Sequence, residues 1–104
     1  MKQTIVKTVD SIKNTIEYVL TEKNLIGEVT MVQKLLISYE LQKVVIETEK
    51  YINGLNYDST RRMAIFDVLY MDKVEDYCRR LDESDNLVTT YTRLTTVPWR
   101  TYLR

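Results

Sequence analysis

Apolar residues recur along much of the chain at spacings of three and four, the period of a helix that buries one side. Asp10 stands ahead of Ile12, Ile16, Val19 and Leu20, which predicts a capped first helix. Lys13 and Glu17 form an i,i+4 pair on its other side, and Asn24 and Gly27 close it. Thr30 opens a second predicted helix of about 23 residues that reaches Ile52 and stops at Asn53-Gly54. The apolar positions of this second segment change sides. Val32, Leu35, Leu36, Tyr39 and Ile46 share one face at about 100° per residue, whereas Leu41, Val44, Val45 and Ile52 lie about half a turn away. The pattern fits a long central helix touched by different neighbours at its two ends, or a kinked one, or one whose second half meets another chain. Leu41, Val44, Val45 and Ile52 are therefore the candidate self-association residues.

Asp58 or Ser59 is placed to cap a third helix containing MAIFDVLYM, residues 63–71, where every residue but Asp67 is apolar or aromatic. A helix apolar nearly all round is a buried one, so this segment is expected at the centre of the fold, with Asp67 on a solvent-facing edge. Asp72 and Glu75 form a capping pair for a short fourth helix through Leu81, with Val74, Tyr77, Cys78 and Leu81 on its inner face. Residues 87–97 read two ways. Leu87, Val88, Tyr91 and Leu94 fit helical spacing behind Ser84, while the abundance of Thr, Val and Tyr suits a strand. Helix is preferred, because a lone strand in a helical protein has nothing to pair with. A strand here would pair with another copy or with a partner's sheet edge. The expected fold is all-α: a single domain over 1–104, a bundle of four to five helices, with an aromatic and arginine-bearing tail at 98–104.

Composition supports a globular chain and narrows its setting. Of 104 residues, 44% are hydrophobic and 29% charged, and two glycines and one proline leave few tight turns for a sandwich or barrel. Fifteen basic residues balance fifteen acidic ones, so no global field favours nucleic acid or membrane. The net charge is 0 over residues 1–57, −2 over 58–83 and +2 over 84–104. Cys78 is the single cysteine, which excludes an internal disulfide and points to a reducing compartment. A charge every few residues in MKQTIVKTVDSIK predicts no secretory signal, and no apolar run approaches the ~18 residues of a membrane span. A cytoplasmic setting is expected. Abundant Lys, Asn, Ile and Tyr suit an AT-rich genome, such as that of a phage.

The candidate chemistry is sparse. Without histidine there is no Ser–His or Cys–His nucleophile system and no imidazole metal site. One cysteine cannot hold a zinc or iron–sulfur centre, and no glycine-rich phosphate loop occurs. Asp82-Glu83-Ser84-Asp85-Asn86 lacks the turn glycine and closing glutamate of a calcium loop, Leu87 and Arg93 standing in those places. No catalytic residue, metal site or cofactor is therefore expected. Cys78 beside Arg79 and Arg80 offers a thiolate if exposed, but its apolar helical face points to a buried, inert thiol.

Two constellations remain. Tyr77, Cys78, Leu81, Val88 and Tyr91 are spaced like the packing residues of a helix–turn–helix motif, with Asp82-Glu83 in the turn. In this respect the segment resembles the C-terminal DNA-binding region of sigma factors. That resemblance implies a small transcription regulator with Ser84–Leu94 as reading helix. The tail supplies Trp99, Arg100, Tyr102 and Arg104, which with Tyr91 and Arg93 are the residue types that dominate protein–protein hot spots. These six are the candidate partner-binding residues. The expected function is a non-enzymatic protein-interaction module that binds another protein or assembles with itself, with DNA binding as the alternative.

Overall fold

The computed structural model describes residues 2–84 and 87–93. In chain order they form β1 (Lys2–Asp10), β2 (Thr15–Lys23), β3 (Val29–Ser38), β4 (Lys43–Ile52), β5 (Leu55–Ile65), α1 (Val68–Asp82) and β6 (Leu87–Arg93). The strands make one sheet in the order β5-β4-β3-β2-β1-β6. β1 to β5 run as an antiparallel meander, and β6 lies parallel to β1. The all-α bundle expected from apolar spacing is thus overturned: the described residues are mainly sheet, with one helix.

Local chemistry explains each reversal. Asp10 does cap, but it caps a turn: its carboxylate accepts from the backbone N–H groups of Ile12 and Lys13 as the chain reverses between β1 and β2. Asn24 plays the same part at the next reversal, its side-chain oxygen accepting from the N–H groups of Ile26 and Glu28. The predicted helix over Thr30–Ile52 is two strands, β3 and β4, folded about residues 39–42. The change of apolar face along that segment is this chain reversal. Asn53-Gly54 ends no helix; with φ of 52° and 78° it forms the two-residue turn of the β4–β5 hairpin.

The four-residue turns 11–14 and 39–42 each end on a left-handed residue, Asn14 at φ 54° and Gln42 at φ 52°. Their carbonyls then accept from chain beyond the next two strands. Asn14 O takes the Tyr39 N–H at 2.9 Å, and Gln42 O takes the Phe66 N–H at 3.0 Å. The turns at this end are knitted to one another, and the Tyr39 and Phe66 rings meet edge to face at 5.7 Å where α1 begins.

The predicted third helix, with MAIFDVLYM as its buried centre, does not exist as such. Met63 and Ile65 are exposed residues at the end of β5. Asp67 is the N-cap of α1, its carboxylate accepting from the N–H groups of Leu69 and Tyr70. From there Tyr70, Met71, Val74, Tyr77, Cys78 and Leu81 recur at helical spacing and pack on the sheet. The face foreseen for the fourth helix, Val74, Tyr77, Cys78 and Leu81, is the one α1 uses.

The core lies between α1 and one face of the sheet. Ile5 and Val9 of β1, Ile16 and Tyr18 of β2, Leu35 and Ile37 of β3, and Val44 of β4 are buried beneath Val74 and Leu81. Alternation is strict on this side: 5, 7, 9 on β1 face 16, 18, 20 on β2, then 33, 35, 37 and 44, 46, 48. The chain then crosses from β5 through α1 to place β6 beside β1. Residues 87–93 are therefore a strand with a partner in their own chain, and the preference for a helix there is corrected. The objection that a strand would stand alone fails because five others precede it. The reading helix of the helix–turn–helix resemblance falls with it.

Candidate functional site

Two places could carry function: the cleft between α1 and the sheet, and the free edge formed by β5. In the cleft, alternation points the seventh residue of the chain inward from β1, and that residue is a lysine. Lys7 is 4% exposed. Its ammonium pairs with Asp82 at the end of α1, Nζ to Oδ1 3.0 Å, and lies 5.3 Å from the centre of the Tyr18 ring. Tyr18 O–H donates to the same carboxylate oxygen at 2.8 Å. A carboxylate opposes the negative end of a helix dipole, and the lysine beneath it offsets both charges.

Around this cluster Ile16, Tyr18, Ile37, Tyr39, Glu75, Cys78, Arg79 and Asp82 line a cleft of about 240 Å³. One thiol and two phenols that line it are shifted upward. Burial, reinforced by the nearby Asp82 carboxylate, pushes the Cys78 thiol from 9.0 up to about 11, with the Tyr18 bond and Lys7 acting the other way. Burial first, and then the negative neighbours, raises the Tyr18 phenol above its usual 10. Burial likewise pushes Tyr39 up to about 12. A nucleophile or general base near neutrality needs the opposite displacement. The cluster holds α1 on the sheet: Lys7 and Tyr18 grip its last turn, and Tyr77 O–H donates to Gln33 Oε1 at 2.7 Å near its middle.

The edge is built differently. The N-cap at Asp67 sends α1 over β1 to β4, so β5 is left without cover. Every residue of β5 except Ala64 is exposed, on both faces, although its ladder to β4 is regular from Lys43–Ile65 to Lys50–Asp58. Leu55 is 73% exposed, Tyr57 58%, Met63 54% and Ile65 71%. The ladder shifts between Lys50 and Tyr51, where Asn56 Nδ2 donates to the carbonyls of Lys50 and Asp58. Beyond that bulge, Asp58, Thr60 and Arg62 share the helix side of the sheet with Lys50, Thr48 and Ile46. Ser59, Arg61 and Met63 share the open side with Glu49, Glu47 and Val45. Arg61 pairs with Glu47 at 3.8 Å on that side.

The residues expected to self-associate do not form one surface. Val44 is buried in the core, Leu41 is exposed in the β3–β4 turn, Val45 is half-buried on the open face, and Ile52 is exposed at the far end of β4. Of the partner-binding candidates, Tyr91 and Arg93 stand in β6 opposite Val9 and Asp10 of β1. Trp99, Arg100, Tyr102 and Arg104 lie outside the described residues, as does the 94–97 part of the segment read as helix or strand. Among the described residues, no helix is long and apolar enough to cross a membrane. Comparison with protein families, characterised proteins and solved structures finds no match to this chain.

Sequence reasoning missed both Lys7 and β5. The signal for β5 was present: Asn-Gly flanked by Tyr51-Ile52 and Leu55-Asn56-Tyr57 is a hairpin signature, and it places a strand directly after residue 54.

Proposed function

We propose that the protein is a non-enzymatic interaction module that binds by extending its sheet at the β5 edge. One observation carries this reading: a strand of eleven residues, at one end of the sheet order, leaves all but one residue exposed. A free edge offers a row of main-chain donors and acceptors that another strand can complete, and exposed side chains on both faces supply selectivity. Leu55, Tyr57, Met63 and Ile65 provide the apolar contacts on that edge. The elevated thiol and phenols of the cleft favour this reading over an enzyme. A cytoplasmic setting belongs to the same reading and rests on the lone cysteine.

The test is capture by chemical crosslinking in an extract of the native host, with full-length wild type and with Tyr57→Lys/Met63→Lys, since lysines on an edge discourage strand addition. The expected result is loss of the crosslinked species in the variant while its circular dichroism is unchanged. Equal crosslinking by both proteins overturns the reading.

A further inference from the structure

We infer that the strand completing the β5 edge is the β5 of a second copy, paired antiparallel about a two-fold axis at Thr60. The inference rests on the proposed β5 edge and names its occupant.

In an isologous antiparallel pair each residue faces the one at the mirrored position, so a self-pairing strand must be complementary to its own reverse. About Thr60, β5 meets this condition. Ser59 faces Arg61 of the second copy, Asp58 faces Arg62, and Tyr57 faces Met63. Each pair then occurs twice. Asp58 and Arg62 both lie on the helix side, with Lys50 and Ile46 as their β4 neighbours, so the opposed charges share a face of the joined sheet. Neither makes an ion pair with another described residue of its own chain, unlike Arg61, which has Glu47. Moving the axis penalises the same side chains. An axis at Arg61 sets that arginine against itself, one at Arg62 does the same there, and one at Asp58 opposes two carboxylates. An axis at Ser59 places Asp58 against Thr60 and Arg62 against Asn56. Like charges directly opposite one another destabilise a strand pair, so β5 selects one register by both attraction and repulsion.

The geometry of the rest of the chain permits the pairing. No β5 residue belongs to the core packed by α1, so among the described residues nothing on the helix side overhangs the edge. The regular ladder runs to Asp58 and Tyr57 is the bulged residue, so both charged pairs lie within the regular stretch and Tyr57 stands at its limit. An axis normal to the sheet puts both helices on the same side of one continuous sheet, flanking Asp58, Thr60 and Arg62 from each copy.

The test uses charge reversal on the full chain, read by sedimentation velocity over a concentration series. Wild type is expected to show a reversible monomer–dimer equilibrium. Asp58→Arg and Arg62→Asp, each with unchanged circular dichroism, are expected to weaken self-association at least about tenfold, or about 1.4 kcal/mol. Mixing the two variants restores a dimer, because the R62D chain then presents carboxylates at both positions to a D58R chain that presents guanidinium groups at both. The double variant D58R/R62D self-associates again, since it exchanges the two charges and keeps their complementarity. A wild type that stays monomeric throughout overturns the inference. So does a dimer indifferent to both reversals. If the wild type is monomeric but the Tyr57→Lys/Met63→Lys variant still loses a heterologous crosslinked species, the edge reading stands and only its occupant is wrong. If a dimer forms and survives the β5 lysines, both fall.

Discussion

At the scale of single residues, Lys7 and Asp82 show how one buried charge organises its neighbours. Lys7 sits at an inward position that alternation would give to an aliphatic, and it is held by a carboxylate that itself accepts from Tyr18. Removing either partner is not equivalent. Asp82→Ala takes away the acceptor shared by Lys7 and Tyr18 and is expected to cost about 3 kcal/mol, the lower range for breaking a buried pair, since Asp82 is itself partly exposed. Lys7→Met leaves Asp82 its solvent and its Tyr18 bond and is expected to cost about 1 kcal/mol. Urea midpoints at neutral pH measure both; equal losses would contradict the asymmetry.

Cys78 has its own signature. Its folded thiol keeps its proton to about 11 against 9.0 for the free group, so the folded state binds more protons than the unfolded one between those values. Stability from this group is complete below pH 9 and is lost as pH rises toward 11. The raised Tyr18 and Tyr39 phenols act with the same sign at still higher pH. Alkylation of native Cys78 is expected to follow a midpoint near 11, and a midpoint at or below 9.0 would contradict its burial beside Asp82.

At the scale of elements, turn and cap chemistry decided what apolar spacing could not. Val44, Val45 and Ile46 are consecutive, as are Leu35, Leu36 and Ile37, because both faces of the central strands carry apolar side chains. Such runs hide the period of two and produce accidental spacings of three and four. One helix was legible, because Val74, Tyr77, Cys78 and Leu81 have one covered face and one wet face, and there the spacing reports the true period. The strands were legible only in composition: Thr, Ile and Val crowd β1, β2 and β6, and Asn-Gly marks the β4–β5 turn. Asp10 and Asp67 were visible as capping residues, but whether a cap opens a helix or a turn depends on the chain that follows it.

Two substitutions test this level. Gly54→Ala forces a side chain onto φ 78° with open space around it, so only backbone strain is added, about 1 kcal/mol. Asp67→Ala removes two acceptor contacts at the start of α1 and is expected to cost about 1 kcal/mol. Thermal denaturation reads both, and a neutral Gly54→Ala would argue against the left-handed turn.

At the scale of the whole molecule, the crossover from β5 through α1 to β6 leaves the sheet unevenly covered. The helix buries one face of β1 to β4, β6 ends the sheet beyond β1, and β5 ends it beyond β4 with no described strand on its outer side. That asymmetry was not legible in the sequence, because it depends on where a helix begins relative to a strand it does not touch. Nor were the expected self-association residues enough to find it, since Val44 belongs to the core and Leu41 and Ile52 lie at opposite ends of β4. The self-complementary order of Asp58, Thr60 and Arg62 becomes meaningful only once β5 is known to be an edge.

Hydrogen exchange of the full-length protein, compared between dilute and concentrated solution, tests the working edge most directly. Amides of residues 57–63 are expected to gain protection with concentration, while those of β1 to β4 and α1 keep the protection they have when dilute. Protection that rises elsewhere but not in 57–63, or in no segment at any concentration, would contradict a self-pairing β5 edge.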